Sequence, residues 1–162
     1  MAQVKKHKVT NRLSTLIFES GGIGAREALK RADAAIDALR PLCLEDLDDV
    51  LGALDRHFGR LTTGHSPDDS KKVYLFSSQI IDCAIALPGS SIEQAARALC
   101  EFVDMADQRG VQDWAAVGVY IDSIKLLRAA GTAMSRAQRD AVLGGLSQLA
   151  RKRFGDTATA LS

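Results

Sequence analysis

Three histidines, three cysteines and two carboxylates set in apolar runs are the residues of this chain whose types could do chemistry. His57 stands beside Phe58, with Arg56, Gly59 and Arg60 adjacent. An imidazole in that setting can act as a nucleophile toward a phosphoryl group. A neighbouring guanidinium would steady the transferred group. His7 lies in a basic N-terminal stretch and His65 in a polar linker. Asp82 (QIIDCAI) and Asp122 (VYIDSIK) would form an acid–base pair if both faced one pocket. Ser78 one turn before the first and Lys125 one turn after the second point instead to solvated or locally paired positions. No Ser-His-Asp, Cys-His or H-E-x-x-H arrangement assembles from the remaining residues.

Cys43, Cys83 and Cys100 are odd in number, far apart and never in C-x-x-C spacing. That pattern fits small buried side chains in a reducing compartment better than a disulfide frame or a zinc site. Gly21-Gly22-Ile23-Gly24 precedes a helical segment, but no strand leads into it and no G-K-[ST] follows, so neither nucleotide-binding fingerprint is met. No motif calls for a cofactor. Lys5, Lys6, Lys8 and Arg12 form one basic cluster and Arg151-Lys152-Arg153 another. Neither is interleaved with aromatics, and 21 basic against 20 acidic residues leave a net charge of +1, which argues against nucleic acid as partner.

The elements that must hold these residues are helices. Aromatics are 5% of the 162 residues and alanine is abundant, which suits thin, closely packed helices. Leu29, Ala32, Ile36 and Leu39 mark one helix face, and Pro41 predicts a break or tight reversal through Leu42 and Cys43. Leu44, Leu47, Leu51, Leu54, Phe58 and Leu61 then step by 3, 4, 3, 4, 3, a heptad seam with Glu45, Asp46, Asp48 and Asp49 in its first turns. Such a seam serves either as one helix of an intramolecular bundle or as a face for a partner or second copy. Being richer in large apolar residues than the alanine-based helices, it is the candidate partner face.

Residues 62–72 (TTGHSPDDSKK) read as a linker that could split the bundle. Val73, Phe76, Ile80, Ala84 and Leu87 share a face that ends at Pro88-Gly89. Ser91 with Gln94 and Ser135 with Gln138 are capping-box signatures, and Asp113 is an N-cap candidate. Residues 117–121 (VGVYI) are β-prone alone but lie within a 3,4 pattern, so they are assigned to helix. The chain is therefore expected to be all-α. A flexible basic arm (1–22) precedes a bundle of about five to six helices (23–154), and a short tail (155–162) follows. No apolar leader region follows the charged start and no stretch is apolar enough to span a membrane, so the expected location is cytoplasmic.

Two resemblances bear on function. A histidine on a helical hairpin near basic and small residues resembles a histidine-phosphotransfer domain, which implies a glycine that gives a partner's aspartate access, although His57-Phe58-Gly59-Arg60 departs from the lysine-glycine sequel usual there. Over residues 11–128, several segments resemble the alphaproteobacterial chemotaxis protein CheE family. They are Asn11-Arg12-Leu13, Gly21-Gly22, Leu39-Arg40-Pro41, Ser78-Gln79-Ile80-Ile81-Asp82, Ala95-Ala96 with Leu99-Cys100 and Val103-Asp104, Asp113-Trp114 with Val117, and Ile124 with Leu126-Leu127-Arg128. The similarity lies in helix faces and turns. It implies a cytoplasmic, non-enzymatic accessory protein of a chemotaxis or two-component system, with a signalling protein or a second copy as partner. The phosphotransfer module using His57 is the alternative.

Overall fold

Each run of 3,4 spacing becomes a helix in the computed structural model, which describes residues 23–60, 63–66 and 68–155. The order is α1 (Ala25–Phe58), α2 (Asp69–Ala84), α3 (Ile92–Gln108), α4 (Trp114–Ala130), a 3₁₀ turn (Gly131–Ala133) and α5 (Arg136–Phe154). Of the described residues 82% are helical and none is in a strand, against about one third helix in an average globular protein. The fold is an all-α helical bundle. The expected arm (1–22), Leu61 and all but the first residue of the tail lie outside the described residues.

The break expected at Pro41 does not occur. One helix of 34 residues runs through it. Proline has no N–H for the carbonyl four residues back, and its ring strains the preceding turn at a cost of about 3 kcal/mol. A run of four large apolar residues buried just downstream, Leu47, Leu51, Leu54 and Phe58, outweighs that cost at about 1.5–3 kcal/mol each.

The chain divides between Asp37 and Ala38 into two compact units, so residues 62–72 lie inside the second. The described part of the first unit is the start of α1, where every residue but Ala28 is exposed. Glu27 and Arg31 form the expected i,i+4 pair at 3.0 Å.

The second unit holds the core. Leu47, Leu51, Leu54 and Phe58 of α1 enter a single cluster with Val73, Ile80, Leu99, Phe102, Tyr120, Ile121, Ile124, Leu127, Leu146 and Phe154. Phe102 anchors it through ring contacts with Tyr120 at 5.1 Å and Phe154 at 5.0 Å. The Tyr120 hydroxyl donates to the Leu146 carbonyl at 3.1 Å, which ties α4 to α5, and burial raises its pKa above the usual phenol range. Val117–Ile121 is helical as expected, because its inward residues meet this cluster.

Helix starts were partly legible. Ser135 and Gln138 form a complete capping box, and Asp113 accepts from the Ala116 amide at 3.0 Å. Ser91 makes no cap bond. It sits at φ 62°, and the Ser90 hydroxyl accepts from the Ile92 amide instead. α2 begins at Asp69, inside the expected linker, because local polar bonds start it before the apolar face does. The Asp69 carboxylate accepts from Lys72 Nζ at 2.7 Å and from the Ser66 amide at 2.8 Å. The Lys72 bond first, then the Ser66 amide, hold its pKa at about 2 against 3.8 for a free side chain.

Two outcomes test this description. Leu54→Ala should lower unfolding stability by about 2–5 kcal/mol, while exposed Leu29→Ala should change it by less than about 0.5 kcal/mol, read by urea unfolding. The stabilisation from Asp69 is complete above its unfolded pKa near 4 and is lost as pH falls through about 2. Asp69→Asn should therefore flatten the acid limb of the stability–pH curve in that window and leave the curve above pH 5 parallel to wild type.

Candidate functional site

The heptad seam is the first place to look, and the structure puts it inside. Leu47 and Leu54 are fully buried, Leu51 and Phe58 nearly so, and Leu44 is half-buried; Leu61 lies outside the described residues. No partner reaches the four buried side chains without opening the bundle. The sequence reading of this seam as the partner face is corrected accordingly. Its acidic residues also serve the chain itself. Asp48 pairs with Arg128 at 2.8 Å and Asp55 with Lys125 at 2.6 Å. Asp122 takes Arg60 at 2.7 Å, not the Lys125 one turn away. Each pair is partly exposed and contributes at most about 1 kcal/mol, but together they fix the register of α4 against the second half of α1.

His57 is exposed in the last turn of α1. Phe58 beside it belongs to an aromatic group closed by the linker. The His65 ring stacks on Trp114 at 4.2 Å, and Trp114 stacks on Phe58 at 5.9 Å. The glycine expected to clear a path for a partner's aspartate does not do so. Gly59 is buried, and a Cβ there would come within 2.5 Å of the Asp55 carbonyl oxygen. Gly118 of α4 faces the same corner, where a Cβ would lie 2.6 Å from Arg60 Cγ and 3.1 Å from its backbone. Gly118 lets the end of α1 close against α4, while Gly59 leaves room for Asp55 one turn before it in the chain. Arg60, one of the two arginines beside His57 in the sequence, pairs with Asp122.

The two carboxylates occupy different places. Asp122 is in the ion pair just described. Asp82 is exposed and borders a shallow cleft with Tyr74, Ser78, Ile81, Arg97, Cys100 and Glu101. All three cysteines are free and half-buried. Burial first, then neighbouring negative charge, pushes the Cys83 thiol up. Burial also raises Cys100 and outweighs the Ser77 contact that lowers it. Neither is tuned as a nucleophile. Of the C-terminal basic run, Arg153 pairs with Asp113 at 3.0 Å. Among the described residues no three His, Cys, Asp or Glu side chains gather as metal ligands do.

What the sequence reading missed is the reverse of the seam. The alanine-rich start of α1 carries exposed Leu29 and Ile36, 67% and 42% accessible, with Ala32 exposed between them. Arg26 and Asp33, one heptad apart, flank this stripe on the same side. The 3,4 spacing was visible. The cue that would have separated it from a core face is its thinness, since only two of its positions in this unit carry large side chains.

Gly118→Ala should destabilise the protein by about 1–3 kcal/mol through overpacking at Arg60, and Arg60→Ala should relieve only part of that loss because backbone atoms remain in the way. A double-mutant cycle by thermal unfolding measures both.

Among the described residues no helix is long and apolar enough to cross a membrane. No protein-family model, curated protein or solved structure matches the chain.

Proposed function

We propose that the protein is a non-enzymatic helical adaptor of a chemotaxis or other two-component signalling system, and that it works through the exposed start of α1. The observation that carries the binding role is the stripe Leu29, Ala32, Ile36, which leaves two large apolar side chains in water on a regular helix. The occupant we assign to it is a second copy of this chain. Charge order supports that choice. In an antiparallel pair centred between residues 29 and 30, each Arg26 meets the other copy's Asp33, so the face is complementary to itself. Three turns of helix bury little area, so the association is of the weak, reversible class, micromolar or weaker. The signalling assignment is supported by the resemblance of segments across residues 11–128.

Sedimentation velocity of the full chain should show a concentration-dependent dimer. Leu29→Asp with Ile36→Asp should abolish it without loss of helix content. Arg26→Asp alone should weaken it several-fold, and Arg26→Asp with Asp33→Arg should restore it. A wild type that stays monomeric to millimolar concentration overturns the self-association. In its own host, deletion should change spreading in soft agar, with rescue by wild type and not by the Leu29→Asp/Ile36→Asp variant. Spreading unchanged by deletion overturns the chemotaxis reading. Uptake of phosphate from a phosphorylated response regulator by wild type but not by His57→Ala would replace the adaptor with the phosphotransfer module.

A further inference from the structure

A cavity of about 400 Å³ opens at one end of the second unit, within the size range of small-molecule sites. Its walls come from α1, the α2–α3 turn, the end of α4 and the start of α5. Three arginines border it, Arg40, Arg128 and Arg139, and no carboxylate does. The rest of the wall is mainly apolar and includes Leu44, Leu87 and Leu127, with the Ser90 and Thr132 hydroxyls at the edge.

Three guanidinium groups on the wall of one small cavity, with no carboxylate among the lining residues, make it electropositive. Arg128 and Arg139 keep binding capacity beyond their contacts within the chain. Arg128 gives one terminal nitrogen to Asp48 at 2.8 Å. Its Nε is buried and has no hydrogen-bond partner, the only buried side-chain nitrogen or oxygen in that state among the described residues. Arg139 donates through Nη1 to the Met134 carbonyl, a neutral acceptor that leaves the positive charge in place. The start of α3 reaches the same cavity through Ser90 and Ile92, and adds the positive end of a helix dipole. Glu93 in that first turn is tied to Arg97 at 2.9 Å and does not border the cavity.

We infer that this cavity is a binding site for a small organic anion, a carboxylate or phosphate monoester carrying a short apolar body. The Arg139 guanidinium, engaged through Nη1 alone, can take two oxygens of such a head group, Arg128 adds positive charge beside it, and the leucine wall takes the body. The site is separate from the α1 stripe and does not depend on the adaptor reading.

The test titrates the full chain with hexyl phosphate, hexanoate, inorganic phosphate and hexyltrimethylammonium, read by calorimetry and by amide chemical shifts. At least one of the two hexyl anions should bind, with shifts centred on residues 86–92, 127–132 and 139. The tighter of the two identifies the head group as phosphate or carboxylate. Arg139→Gln should weaken that binding about tenfold or more, and Arg139→Lys should weaken it less. Arg128→Gln should do the same as Arg139→Gln, with thermal unfolding confirming that each variant is folded; if Arg128→Gln fails to fold, Arg139→Gln decides alone. Four results overturn the proposal: neither hexyl anion binds at millimolar concentration, the ammonium binds as well as they do, inorganic phosphate matches hexyl phosphate, or Arg139→Gln leaves affinity unchanged.

Discussion

Burial of the second half of α1 is the constraint on which the rest of the structure depends. The buried faces of α3 and α4 mix large side chains, Leu99, Phe102, Tyr120, Ile121, Ile124 and Leu127 among them, with alanine, valine and Gly118. Leu47, Leu51, Leu54 and Phe58 enter the same apolar cluster from α1. Removing them would leave that cluster open on one side, since close packing needs a partner surface for every buried side chain. The same burial keeps α1 helical past Pro41, where the local chain chemistry favours a stop.

Polar groups then adjust the fit set by this apolar contact. Asp48, Asp55 and Asp122 pair with Arg128, Lys125 and Arg60, which leaves the acidic turns of α1 engaged with the chain's own α4. Gly118 removes the Cβ atom that would hold the end of α1 away from α4. Pairing and packing also account for residues that, in the sequence, resemble parts of a phosphotransfer site. Arg60 is paired with Asp122 and Gly59 is packed on Asp55, and His57 itself remains exposed beside them.

Function on this scaffold is therefore sought where side chains are not spent on the fold. Two such places stand out on physical grounds. One is the start of α1, whose leucine and isoleucine gain nothing from water. The other is the arginine-lined cavity, where positive charge is gathered without a carboxylate on its wall and Arg139 is held only by a neutral carbonyl.

Periodicity and capping chemistry by themselves determined that the chain is all-α and roughly where its helices lie. Those signals are local: Ser135 with Gln138 and Asp113 with the Ala116 amide act within one turn, so they need no tertiary partner. Local signals also misled. Ser91 with Gln94 had the right letters, but the Pro88-Gly89 turn delivers Ser91 at φ 62°, where its hydroxyl does not cap. Pro41 had the letter of a helix end, yet downstream burial outweighs it. Two stripes with the same 3,4 spacing, one at Leu29–Ile36 and one at Leu47–Phe58, were alike in pattern and opposite in fate. Spacing states that residues share a face and carries no information on what that face meets. Only the tertiary structure decided which stripe lies inside, that Asp82 and Asp122 are in different places, and that Arg40, Arg128 and Arg139, some 99 positions apart in the chain at the extremes (139 − 40), border one cavity. Those are long-range facts, set by the packing of helices whose mutual placement no local rule contains.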